Sequence, residues 1–214
     1  MRHLALCSGI ALSLSFPISA MAEDAAQLKV TGTISPASCG VSVTGGTAVQ
    51  LGTVKLSDFT PGEDLALAEK TASLTINCEG AAATFRLIAS DATSQFADTT
   101  ARYGLGYNEQ GGGAAKSNGY FNLSIDAASM STNNFVMKST DAGGGGAWTH
   151  VGSENVPFSH DGEAFAFAAS ADAEGPASLV SLTVPLKINA VLTRDPVVND
   201  DVALAGQATI EIKY

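Results

Sequence analysis

An all-β sandwich is the architecture expected of this chain, on three grounds. Apolar and polar residues alternate with a period of two in one segment after another. Helical periodicity is weak, and the best helical stretch, Leu65-Ala-Leu-Ala-Glu-Lys70, is short. Turn signals punctuate the segments: Thr44-Gly45-Gly46, Pro61-Gly62-Glu63, Gly111-Gly-Gly113, Gly143 to Gly146, and Glu174-Gly175-Pro176.

The strands follow in order. Leu28, Val30, Gly32 and Ile34 share a face, opposite Gln27, Lys29, Thr31 and Thr33. Leu74, Ile76 and Cys78 alternate with Thr75 and Asn77, and Phe85, Leu87 and Ala89 alternate across Arg86. Phe121, Leu123 and Ile125 repeat the pattern, as do Phe165 and Phe167 around Ala166. The longest run places Leu182, Val184, Leu186, Ile188, Ala190 and Leu192 on one face and Pro185 on the other. Proline cannot donate to a ladder, so Pro185 predicts an edge strand or a bulge. The last segment sets Ala208, Ile210, Ile212 and Tyr214 against Gln207, Thr209, Glu211 and Lys213. A final residue in register with the apolar face marks this strand as integral to the sandwich.

The 214 residues suit one domain. Lys plus Arg number 11 against 21 Asp plus Glu, a net charge of -10, which argues against nucleic acid or anionic lipid as the main partner. Arg2 and His3 precede an apolar run from Leu4 to Phe16, and Ala20-Met21-Ala22 follows, the pattern of a cleaved secretory signal over residues 1–22. The alternatives are a retained anchor, for which the run is short, and a lipid-modified Cys7, against which the bulky Leu6 counts. Cleavage leaves Cys39 and Cys78. In an exported chain such a pair most simply forms one disulfide, and the alternative is two buried free thiols.

Candidate chemistry is sparse. Ser159-His160-Asp161 invites a triad reading, but triads are assembled from distant positions. His150 and His160, with both cysteines taken up by the expected disulfide, do not make a zinc ligand set. Asp126, Asp141, Asp161, Asp172, Asn199, Asp200 and Asp201 lack the spacing of a calcium loop and read as solvated loop residues. Gly143 to Gly146 lacks the Lys-Ser/Thr of a phosphate loop. No catalytic residue, metal ligand or cofactor is expected, and the chain is not expected to be an enzyme. Trp148 and Tyr107 are candidates for stacking on sugars, with ordinary packing as the alternative.

The two ends carry a resemblance. Leu28-Lys-Val30-Thr-Gly32-Thr-Ile34-Ser-Pro-Ala-Ser-Cys39 resembles the start of chaperone–usher pilins, with Gly32 before the first body strand and Cys39 ending it. Val49-Gln-Leu51-Gly52-Thr-Val54 follows at the spacing seen there, and Leu74-Thr-Ile76-Asn-Cys78 resembles the second cysteine strand. Gly206 through Tyr214 is similar to the C-terminal β-zipper of pilins. Gly32-Thr-Ile-Ser-Pro-Ala-Ser-Cys39 and Tyr103-Gly-Leu-Gly106 look closest to the beta-fimbrial, pilin-like group. Two departures are a tyrosine in last rather than next-to-last place and a short N-terminal arm.

The resemblance implies an incomplete immunoglobulin-like sandwich, the pilin fold, completed by donor-strand exchange. Residues 1–22 would be the signal peptide, 23–31 the donor-strand extension and 32–214 the pilin domain. Ala26, Leu28 and Val30 would be donor residues, and Gly206, Ala208, Ile210, Ile212 and Tyr214 would line the acceptor groove. The implied partners are a periplasmic pilus chaperone, an outer-membrane usher and neighbouring subunits, with no nucleic acid. Export through the periplasm would end in a fimbrium at the cell surface that serves adhesion. Two other readings stand beside this one: a single-domain adhesin or secreted carbohydrate-binding sandwich, with Trp148 as the contact, and a complete sandwich whose two ends pair with each other.

Overall fold

The computed structural model describes residues 38–44, 48–93, 101–110, 114–131, 133–143, 145–152 and 154–214. The expected leader, the expected arm with Ala26, Leu28 and Val30, and the alternating segment up to Ile34 lie outside the described residues. Within them the strands are β1 (Gly40–Thr44), β2 (Leu65–Ala66), β3 (Lys70–Asn77), β4 (Arg86–Asp91), β5 (Arg102–Gly104), β6 (Tyr107–Asn108) and β7 (Lys116–Ser117). They continue as β8 (Gly119–Asp126), β9 (Phe135–Ser139), β10 (Thr149–His150), β11 (Asn155–Pro157), β12 (Ala164–Ala168), β13 (Ser181–Leu192) and β14 (Ala208–Lys213).

The larger sheet runs β1-β3-β13-β8-β11, with β2 also on β13 and β5 also on β8. The second sheet runs β10-β9-β12-β4-β14, and β6 and β7 form a separate ribbon. The fold is an all-β sandwich of antiparallel sheets. Its core joins Leu74, Ile76, Val184, Leu186 and Ile125 of the larger sheet to Leu87, Val136, Phe165 and Phe167 of the second. The alternation in β13 is the burial pattern itself, with every even residue from Leu182 to Leu192 buried. Each such Leu, Val or Ile side chain contributes roughly 1.5–3 kcal/mol by leaving water.

The structure bears on three readings of the sequence. First, β13 lies between β3 and β8 and not at an edge, in spite of Pro185. The Ala190 and Val180 carbonyls accept from Leu67 and Cys78 on the β2–β3 side, so odd residues of β13 turn their amides towards β8. The β8 ladder stops at Leu186↔Ile125, one position before Pro185. The missing donor therefore faces a place where no ladder bond is made. Second, Leu65-Ala66 is strand, not helix: it pairs with Leu192 and Val191, and the Leu67 N–H donates to the Ala190 carbonyl at 2.9 Å. A short helical pattern cannot compete with a ladder that also buries Leu65 and Leu67 on Ala190 and Leu192. Third, a disulfide joins Cys39, which directly precedes β1, to Cys78, which directly follows β3; the strand that Cys39 was expected to end lies outside the described residues.

Asp126 also differs from the solvated loop carboxylate expected. It ends β8, is only 9% exposed, and accepts from the Ser129 hydroxyl at 2.7 Å and Lys187 Nζ at 3.2 Å. The Ser129 hydrogen bond, then Lys187, outweighs burial and holds its carboxyl below the ordinary value. A carboxyl depressed in the folded state stabilises above its unfolded pKa, and that stability is lost as pH falls through the folded value. The expected result for Ser129→Ala is a stability deficit that is full at pH 7. It shrinks once the pH falls below about 4, as urea midpoints measured across pH would show. A deficit independent of pH would mean that the hydroxyl acts by packing alone.

Candidate functional site

The site sits where the two sheets present facing edges. On one side β14 pairs with β4, from Ala208↔Asp91 to Lys213↔Arg86. Among the described residues its other edge has no strand partner. Gln207 accepts from the Ala92 N–H, so odd residues of this segment point to β4. Ala208, Ile210 and Ile212 therefore turn their N–H and C=O groups to the open edge. On the other side β1 pairs with β3 alone among the described strands.

Between these edges lies a trough of about 1690 Å³. Ala72, Leu123, Leu186 and Ile188 form its floor, and Ala208 and Ile210 stand on the β14 wall. The facing wall is Val43 of β1 and then residues 48–56, which form no strand along 48–55. Leu51 and Val54 hold that wall by packing on a small second core of Leu105, Ala190 and Leu192. The floor residues Leu123, Leu186 and Ile188 keep 4–7% exposure, whereas Ile76, Ile125 and Val184 have none. The trough thus opens directly onto the core. Val49, Leu56 and Val197 on its rim are exposed large apolar side chains, at 40, 52 and 43%.

Local chemistry fixes both ends of β14. Gly206 and Ala208 border the trough, and a Cβ at Gly206 would lie 2.7 Å from the Gly104 carbonyl and 2.8 Å from the Phe121 ring. Glycine is needed because the chain crosses closely over β5 and β8 on its way to β4. The buried Asp91 carboxylate opposite Ala208 accepts from Thr93 N–H at 2.9 Å and Gly104 N–H at 3.2 Å, which anchors the end of β4 to β5. Arg194 grips Asp64 at 2.9 Å and the Gly62 carbonyl at 3.1 Å, tying the 193–198 side of the trough to a turn. That hydrogen bond holds the Asp64 carboxyl below the ordinary value.

At the far end the pattern changes. Ile212 packs on the core without lining the trough, and Tyr214, 58% exposed, does not line it either. The Tyr214 hydroxyl accepts the Cys39 N–H, and its backbone oxygen accepts from Arg86 Nη1 at 3.0 Å. Of the residues assigned to the groove from sequence, the structure gathers Gly206, Ala208 and Ile210 along the trough and sets Ile212 and Tyr214 at its end. Sequence reading missed the 48–56 wall and Arg86. Alternation in Val49-Gln-Leu51-Gly52-Thr-Val54 was the available signal for the wall. A lone cation inside the alternating Phe85–Ala89 run was the signal for Arg86.

The other candidates lie elsewhere. Trp148 is half-buried and directly precedes β10, at the edge of the second sheet opposite β14. The Ser159 hydroxyl donates to the Glu163 carboxylate, while His160 Nε2 meets the Arg102 carbonyl at 2.9 Å, so the two make no nucleophile–base pair. Burial acts to raise the Glu163 pKa, but Lys138 at 2.8 Å and Ser159 outweigh it and hold the carboxyl low. His150 Nε2 meets the Ala173 carbonyl at 2.8 Å. Tyr103, in the stretch likened to beta-fimbrial chains, is fully buried and donates to the Phe158 carbonyl at 2.7 Å. Burial first, then the Asp91 charge, pushes its phenol well above the usual range. Among the described residues, no three His, Cys, Asp or Glu side chains gather in a way that would hold a metal ion.

No curated protein was found to match this chain. A family model described as a protein of unknown function, DUF1120, matches residues 28–104, which include both half-cystines and the strands β1 to β5.

Proposed function

We propose that this chain is a structural subunit of a chaperone–usher fimbria, polymerised by donor-strand exchange into a surface fibre that serves adhesion. The observation that carries the reading is the edge of β14, without a strand partner among the described residues, beside an apolar trough that opens on the core. A bare edge of this kind templates aggregation unless another strand covers it. Strand addition covers it with main-chain hydrogen bonds, and alternate side chains set the register. In this reading the body is an immunoglobulin-like sandwich short of one strand. Ala26, Leu28 and Val30 of a neighbouring subunit enter beside Ala208 and Ile210. A periplasmic chaperone fills the trough until an outer-membrane usher exchanges its strand for that arm.

The test compares the chain from Glu23 with one lacking residues 23–31. The longer chain is expected to give SDS-resistant ladders on unboiled gels, and the truncated one none. A synthetic peptide of residues 23–34 is expected to bind the truncated protein and stabilise it by about 2.7 kcal/mol at a hundred times its Kd. A truncated protein that still forms ladders, or that is equally stable with and without the peptide, would sink the proposal.

A further inference from the structure

We propose that the Tyr214 side chain is a gate that closes the disulfide end of the trough and limits how far an incoming strand pairs along β14; this rests on the strand-exchange reading above. Three observations converge on it. The trough lining stops at Val43 on β1 and Ile210 on β14. Beyond them the Tyr214 hydroxyl takes the Cys39 N–H and spans the gap between the two sheet edges. Cys39 is a fixed gatepost, because its disulfide to Cys78 binds it to the end of β3.

The hinge is equally well defined. Arg86 holds the Tyr214 backbone oxygen with Nη1 at 3.0 Å while Nε holds the Ala142 carbonyl at 2.9 Å. The backbone of Tyr214 is therefore anchored, whereas the residue as a whole is 58% exposed and lies outside the buried core, so its ring can turn into solvent without opening the core. With the gate shut, an incoming strand reaches the open-edge groups of Ala208 and Ile210. With it open, the N–H and C=O of Ile212 join the ladder. The hydroxyl bond to Cys39 is what the strand must displace, since a ring without it spans the gap with no polar tie.

The experiment mixes a fluorescent peptide of residues 26–35 with the chain lacking residues 23–31, whose trough no neighbouring arm fills, carrying either Tyr214 or Tyr214→Phe. Anisotropy reads the rate of uptake, and hydrogen exchange reads the Ile212 N–H. Tyr214→Phe is expected to take up peptide about fivefold faster, the rate equivalent of one net hydrogen bond of about 1 kcal/mol. The Ile212 N–H is expected to be protected only once peptide is bound. Tyr214→Leu, which also lacks the hydroxyl, is expected to move the rate in the same direction. Equal rates in all three proteins, or an Ile212 N–H that stays unprotected with peptide bound, overturn the gate alone. No uptake by any of them overturns strand exchange and the gate with it.

Discussion

Replacing Cys39 and Cys78 together by alanine is expected to lower the free energy of unfolding by about 4 kcal/mol. The bond closes a loop of 39 positions, and most of its contribution comes from the freedom it removes from the unfolded chain. It also has a local role. Gly40↔Asn77 is the first pair of the β1–β3 ladder, so the disulfide ties the two strands at the step just before that pair. β1 has no second strand neighbour among the described residues, and without the tie it frays from this end. Urea unfolding of the double variant, beside the parent with and without reductant, measures the effect. A midpoint shift equivalent to less than about 1 kcal/mol would show that the loop is already constrained in the unfolded chain.

Gly119→Ala is expected to cost about 3 kcal/mol or more, through strain and overpacking combined. Gly119 has φ +134°, a region that L side chains avoid. A Cβ there would lie 2.1 Å from the Val191 carbonyl oxygen and 2.8 Å from the Leu192 Cα. Both obstacles are backbone of β13, the central strand of the larger sheet, and Leu192 is the residue that Gly119 pairs with. No side chain there can turn aside, so the β8–β13 ladder must part at this end. Thermal unfolding of Gly119→Ala checks the prediction. An alanine tolerated within about 0.5 kcal/mol would mean that the ladder end has slack. Gly152 has nothing within 4 Å of its Cβ position, so Gly152→Ala is the matched control and is expected to be near neutral.

The faces of the strands were legible in the sequence because side chains alternate regardless of which strand lies alongside. Leu74 and Ile76, Leu123 and Ile125, Phe165 and Phe167, and the even residues of β13 all point inward as their spacing required. The disulfide was legible from the count of cysteines in a chain whose first residues read as an export signal. The Asp126 environment was not, since nothing local tells that Ser129 and Lys187 will close over it.

Neighbour relations were the other part that local pattern could not reach. Pro185 argued for an edge, and only the point at which the β8 ladder ends makes it tolerable in a central strand. Leu65 to Lys70 had a helical pattern, and β13 made part of it strand. The candidate site divides the same way. The apolar face of β14 belongs to the amino-acid order, but the trough needs Val43, Ala72, Leu123, Leu186 and Ile188 from four other strands to converge beside it. The Tyr214–Cys39 bridge joins positions 175 residues apart. Alternation is a property of one strand and fixes which residues are turned inward. Edges, troughs and gates are properties of several strands at once, decided when distant segments pair and the chain closes the loops between them.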